Sequence, residues 1–272
     1  MLEKRELEMR GSEILKELEG ISGIFSDVNK TFIVGIIEKK LRYNHKYKQE
    51  KFFKTRIEVI RNSGISDFIP VIISEKVLTK SLRKKIRVGH MVAVAGRFYS
   101  FNTKDKDGKT HLKLCLSAKY IKMLKDESII EKIPTTNILY LNGFICKEPV
   151  LRKTQISNQY ITDLLVAVNR PSNESDYIPC IVWNNTAKWA QNLKVGEEVE
   201  LYGRIQSRQY FKKFSDRPEH QKYIDMCKKR INSEYIQYRK YEENPIKIDP
   251  TIGKLKMAYE VSVIKIQRFS QK

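Results

Sequence analysis

Between Leu41 and Arg56 the chain reads LRYNHKYKQEKFFKTR, in which Tyr43, Tyr47, Phe52 and Phe53 alternate with Arg42, Lys46, Lys48, Lys51 and Lys54. Flat rings can stack on unpaired bases, and cations between them can neutralise phosphates. The blander arrangement is an exposed hairpin with Phe52 or Phe53 turned into a core. A second basic, Tyr-rich stretch spans 211–254, with helix-compatible spacing from 219 to 241. It reads either as a basic arm that orders on binding or as a helical element for dimer contacts. Enzyme chemistry finds no such set. Gly108-Lys109-Thr110 mimics the end of a phosphate-binding loop, but Thr103 stands where its first Gly must be. His45, His90, His111 and His220 have no acid or nucleophile at motif spacing. Cys115, Cys146, Cys180 and Cys227 form no CxxC pair and read as reduced, buried thiols. No catalytic activity, cofactor or metal is expected.

The bulk properties favour an anionic partner. The 272 residues carry 52 Lys and Arg against 32 Asp and Glu, a formal charge of +20, which points first to nucleic acid. Apolar residues make up 41%, enough for real cores despite 31% charged residues. The opening MLEKRELEMR has no apolar centre and does not read as a signal peptide. Runs such as FIVGII (32–37) are too short to span a bilayer. A cytoplasmic protein is expected.

What positions these residues is a duplication. RVGHMVAVAGRFYS (87–100) matches KVGEEVELYGRIQS (194–207) at an offset of 107. DFIPVIIS (67–74) matches DYIPCIVW (176–183) at 109, and Arg61 meets Arg170 at the same offset. FIVGII (32–37) matches LYLNGFI (139–145), with Gly35 and Gly143 at 108. Each copy reads as an apolar strand, a turn-rich stretch, two more strands, a short helix (75–86 or 185–194), then two strands joined by a hairpin. In copy 1, Asp107-Gly108 signals that hairpin's turn. Five strands with a helix between the third and fourth is the order of an OB-fold, a small Greek-key barrel that binds oligonucleotides. The expected fold is therefore mostly β, with two tandem five-stranded OB-fold barrels. Domain 1 is placed at 31–125, a linker at 126–135, and domain 2 at 136–272. Residues 1–30, with Leu2, Leu7, Met9, Ile14, Leu15 and Leu18 on one face, read as an N-terminal helical extension.

Copy 2 resembles the bacterial single-stranded DNA-binding protein family. The resemblance runs through NILYLNGFICKEPVLR (137–152), LLVAVNR (164–170), residues 176–210 and AYEVSVIKIQRF (258–269). In that family aromatic side chains on the barrel surface stack with bases. The resemblance places Tyr177, Trp183 and Tyr210 in that role, with Arg208 as a phosphate contact. Arg152 and Arg170 fall within the matched runs and join the expected contacts. Copy 1 keeps Phe68, but Ser74 and Thr103 stand where Trp183 and Tyr210 would be. Gly96-Arg97 and Gly203-Arg204 mark either a strand bend with a surface cation or further contacts. Trp189, in the helix stretch, is expected in the core. The family's acidic C-terminal tip has no counterpart in the ending RFSQK, so recruitment of partners through such a tip is not expected.

Charge divides between the copies. Residues 31–125 hold 23 Lys and Arg against 7 Asp and Glu, whereas 136–210 hold 8 against 7. Copy 1 reads as an electrostatic track and copy 2 as a stacking platform. The expected function is single-stranded DNA binding with little sequence preference, in replication, recombination or repair. Because the family commonly acts with four OB-folds, a homodimer is implied. The alternatives are a replication-restart or mobile-element accessory whose OB-folds bind protein, and RNA binding.

Overall fold

The computed structural model describes residues 28–105, 108–124, 136–154, 158–214, 217–234 and 248–269. Most of the expected helical extension, the linker, Asp107 and residues 235–247 lie outside them.

The first half forms β1 (Asn29–Tyr47), β2 (Glu50–Ile60), β3 (Ser66–Ser74), α1 (Lys80–Lys85), β4 (Met91–Lys104) and β5 (Thr110–Met123). The second forms β6 (Asn137–Ile145), β7 (Val150–Lys153), β8 (Tyr160–Asn169), β9 (Ser175–Trp183) and α2 (Asn184–Ala190), then β10 (Glu198–Lys213), a 3-10 turn (Pro218–His220), α3 (Gln221–Glu234) and β11 (Gly253–Arg268). Strands run β2-β3-β5-β4-β1-β6-β10-β11-β9-β8-β7, and the extra pairings β1–β2 and β6–β8 close two barrels. Both are OB-folds. The short β7, paired with β8, has no separate counterpart among the described residues of copy 1.

Burial explains the sequence patterns. FIVGII does not alternate because both faces of β1 are covered. Ile33 and Ile37 face the barrel core, while Phe32 and Val34 join a second cluster with Met91, Ala93, Ala95 and Ile138. Beyond Glu38, β1 leaves the core and pairs only with β2. The two barrels join where β1 meets β6, antiparallel, with Thr31 opposite Leu139. At the Gly35–Gly143 offset these are counterpart residues, so the junction is a local twofold. Asn29 and Asn137 repeat the symmetry: each amide brackets the fourth strand of its own barrel, at Phe98 (2.8 and 3.0 Å) and Ile205 (2.7 and 3.0 Å).

The repeated glycines have a steric cause. Register shifts fall at Ala95/Gly96 and Tyr202/Gly203, bulges that bend the fourth strand around each barrel. A Cβ at Gly96 would collide with the Ser117 carbonyl oxygen, a backbone atom that cannot swing aside. Gly96→Ala is therefore expected to destabilise the protein by roughly 3 kcal/mol in urea unfolding. A loss near zero would show that β4 and β5 separate freely there.

Candidate nucleic-acid interface

The positions expected to form a stacking platform lie on barrel 2. Tyr177, at the start of β9, is 44% exposed, and its backbone N–H donates to Ser100 Oγ of β4 at 2.8 Å. Trp183, at the other end of β9, is half-buried and donates from Nε1 to Ser262 Oγ at 3.1 Å. Inward positions between them, Ile178, Cys180 and Val182, fill the core. Two rings on the outer face six residues apart are separated by about 20 Å.

Arg208 is exposed and lies 3.7 Å from Glu260. Arg152 is exposed too; its bidentate hydrogen bonds to Asp163, at 2.5 and 3.0 Å, raise its pKa. Glu260 also acts on the Arg152 charge, and Ser262 is two residues along the same face of β11. Arg152, Arg208 and Trp183 are therefore neighbours. Tyr210 is half-buried and paired with Lys256. The site is an elongated strip, from Trp183 to Tyr177 beside barrel 1, with the β10–β11 ribbon continuing beyond the Tyr177 end.

Sequence reading missed one ring. Tyr160 opens β8 beside the strand position that pairs with Trp183, and Lys153 and Lys188 stand over it at 4.9 and 4.7 Å. Its signal in NQYITD is a single aromatic with no cation adjacent in sequence; the lysines come from β7 and α2.

In barrel 1 the first hairpin projects as an arm. Lys48 and Gln49 form its turn at φ 43 and 68, and Tyr43 and Tyr47 are 59% and 60% exposed. The expected hairpin forms, with one of its two phenylalanines turned inward. Phe53 is buried in the barrel with Arg83 4.3 Å from its ring centre, while Phe52 stacks on His45 at 4.7 Å on the outside. Arg42 sits opposite Lys54, and Lys46 opposite Lys51. Like charges directly across a ladder repel, so the arm favours an anion between its strands.

Four expected contacts lie elsewhere than on an open surface. Phe68 is 2% exposed, with the Arg56 guanidinium 5.1 Å from its ring and that arginine held bidentately by Glu38. It offers no face to a base. Arg97 and Arg170 both bind buried Asp176, at 2.8 and 2.6 Å, and Arg170 also donates to the Ser100 carbonyl. The hydrogen bond to Asp176, opposed by burial and aided by Glu174, raises the Arg170 pKa. Arg61 and Arg204 bind buried Asp67 at 2.6 and 3.1 Å. The arrangement is reciprocal. Ser100 N–H of barrel 1 donates to Asp176, and Ser207 N–H of barrel 2 donates to Asp67. Each barrel lends an arginine and a serine to the other's aspartate, so Arg97, Arg170 and Arg204 clamp the barrels together.

Trp189 also departs from expectation. It is 38% exposed on α2, with Arg268 5.7 Å from its ring, because Ala187 and Ala190 take the inward face of that short helix. Cys115, Cys180 and Cys227 are buried and unbridged, and Cys146 is partly covered. Burial pushes Cys115 up to about 12 and raises Cys180 further, so both stay thiols. Among the described residues no helix is long and apolar enough to cross a membrane.

Comparison with known proteins places this geometry. The model of the Single-strand binding protein family matches residues 28–124 and again 136–225, one match for each barrel. A Single-stranded DNA-binding protein of Clostridium tetani is 34% identical over 80 residues, 27% of this chain and 55% of that protein. Single-stranded DNA-binding protein 2 of Listeria innocua is 37% identical over 81 residues, 27% of this chain and 50% of that one. The chain thus spans about half the length of these two relatives. The crystal structure of the wild-type single-stranded DNA binding protein from Thermus aquaticus superposes with a TM-score of 0.60 at 15% identity, covering 90% of this chain and 94% of that one. It shares the fold across both barrels. With both barrels matched by one family model, the chain belongs to the single-strand binding protein family.

Proposed function

We propose that this protein binds single-stranded DNA with little sequence preference and protects it in the cytoplasm during replication, recombination or repair, without catalysing a reaction. The observation that carries this reading is the strip on barrel 2. Tyr177, Trp183 and Tyr210 stand along an outer face bordered by Arg152 and Arg208. Stacking rings along a cationic path grip any base, because every base has a π face. Barrel 1, with Phe68 covered and Ser74 and Thr103 in place of rings, contributes charge through the Tyr43–Lys54 arm. A homodimer of four barrels fits the same reading. The outer face of the joined sheet carries the second apolar cluster, edged by Tyr120, Tyr140 and Tyr202.

Titration with oligo-dT at several salt concentrations, read by tryptophan fluorescence, tests it. Quenching with affinity that falls steeply as salt rises is the expected result. Tight binding to duplex or to RNA, with none to oligo-dT, sinks it; no nucleic-acid binding at all favours a protein partner for these barrels.

A further inference from the structure

The clamp between the barrels has matching contacts on its two sides but unequal consequences. On one side, buried Asp176 of β9 accepts from Arg97, Arg170 and the Ser100 N–H. On the other, buried Asp67 of β3 accepts from Arg61, Arg204 and the Ser207 N–H. Both serines are buried as well, and each returns a bond through its hydroxyl. Ser207 Oγ of barrel 2 accepts from the Phe68 N–H at 2.9 Å, and Ser100 Oγ of barrel 1 accepts from the Tyr177 N–H at 2.8 Å. Each aromatic directly follows the aspartate that its serine binds, so the other barrel pins two consecutive residues.

The two rings held this way have opposite surroundings. Phe68 is closed in beneath the Arg56 guanidinium, which stands 5.1 Å from its ring. Tyr177 keeps an open ring on the outer face of barrel 2. Its backbone depends on barrel 1 because of where β9 finds partners. β9 pairs with β8 along its length, with Tyr177 opposite Ala167, and meets β11 at Cys180 and Ile181. Upstream of that meeting, at Asp176 and Tyr177, it is tied to β4 of barrel 1 through Ser100. An N–H that loses its acceptor without gaining water costs free energy, so without this hydroxyl the start of β9 must shift or admit water.

We propose that Ser100 of barrel 1 is a positioning residue for Tyr177 of barrel 2: its hydroxyl fixes the backbone from which that ring projects, so the ring stands ready for a base. This rests on the proposed DNA binding and adds how one barrel sets a ring of the other. A ring anchored beforehand needs less ordering when a base arrives. Ser100 itself is buried and meets no DNA; its effect runs through Tyr177. The mirror-image serine, Ser207, anchors a covered ring and therefore has no such role.

The test is a double-mutant cycle on the full chain, read by the anisotropy of labelled oligo-dT. Tyr177→Ala is expected to weaken binding about fivefold or more, the loss of one stacked base. Ser100→Ala should weaken it about threefold to tenfold, the ordering cost of one side chain. Combining them should weaken it by no more than about twofold beyond Tyr177→Ala alone, because the serine acts through that ring. Ser100→Thr keeps the hydroxyl and should bind within about threefold of the unsubstituted chain. Ser207→Ala is the matched control: it removes the same buried acceptor and should lower the melting temperature as Ser100→Ala does, with affinity changed less than about twofold. Unchanged affinity in Ser100→Ala overturns the positioning role, as does a double variant as weak as the product of the two single effects. Equal weakening by Ser207→Ala overturns it too, since a general loosening of the junction then suffices. If the unsubstituted chain binds no oligo-dT, the proposed function itself falls instead.

Discussion

Asp176→Ala is expected to lower the unfolding free energy by about 3–5 kcal/mol, the cost of stranding buried charge. The carboxylate is fully buried and accepts from Arg97 and Arg170 of the two barrels, and from the Ser100 N–H. Removing it leaves two guanidinium groups, only 17% and 20% exposed, with Arg97 deprived of its carboxylate and Arg170 held only by the more exposed Glu174 and the Ser100 carbonyl. A backbone donor is orphaned as well. Asp67→Ala should act alike through Arg61, Arg204 and Ser207. Pairing Asp176→Ala with Arg97→Ala should cost less than the sum of the single losses, because the two groups share one interaction. Urea unfolding of the singles and the double measures this. A loss under about 1 kcal/mol would mean that water reaches the clamp and the barrels are only loosely held. Asp176→Ala should also weaken DNA binding, because Ser100, which supports the Tyr177 backbone, is ordered by that carboxylate.

Trp183→Ala is expected to weaken oligo-dT binding between about fivefold and about a hundredfold, the range for one stacked base. Its indole is held in place by the Ser262 hydroxyl, so little ordering is required when a base arrives. Trp183→Phe keeps a ring and loses that bond, and should retain most of the affinity. Ser74→Ala, at the matching position of barrel 1, should change affinity less than twofold. Fluorescence anisotropy of labelled oligo-dT reads all three without relying on the tryptophan itself. Equal effects at Trp183 and Ser74 would contradict the division of labour between the barrels.

The fold was legible because the duplication doubled every signal. Paired glycines at constant offset marked bulges, and alternating runs marked strands whose partners the barrel order supplies. The site was legible less evenly. Tyr177, Trp183, Arg208 and Tyr210 came from the family resemblance, and their partial exposure agrees with a surface role. The arginines misled because one pattern served another end. Arg61/Arg170, Asp67/Asp176, Arg97/Arg204 and Ser100/Ser207 recur in both copies. Residues kept alike in two copies that otherwise divide charge and aromatics are those that touch across the twofold, and a linear reading cannot see that contact. Phe68 was lost for a related reason: its burial depends on Arg56 and Glu38, brought over it by β2 and β1. Tyr160 needed three-dimensional neighbours, since its cations lie on other elements.

The antiparallel meeting of β1 and β6 has a consequence for any directional polymer. A rotation of half a turn carries one barrel's groove onto the other with its sense reversed. A strand running straight through both must then present its 5′ end first to one groove's entrance and first to the other's exit. Ring-by-ring recognition suited to one chemical direction cannot be met twice along such a path. Charge has no such arrow, and a barrel that grips through lysines accepts either heading, as the cation-rich half of this chain would.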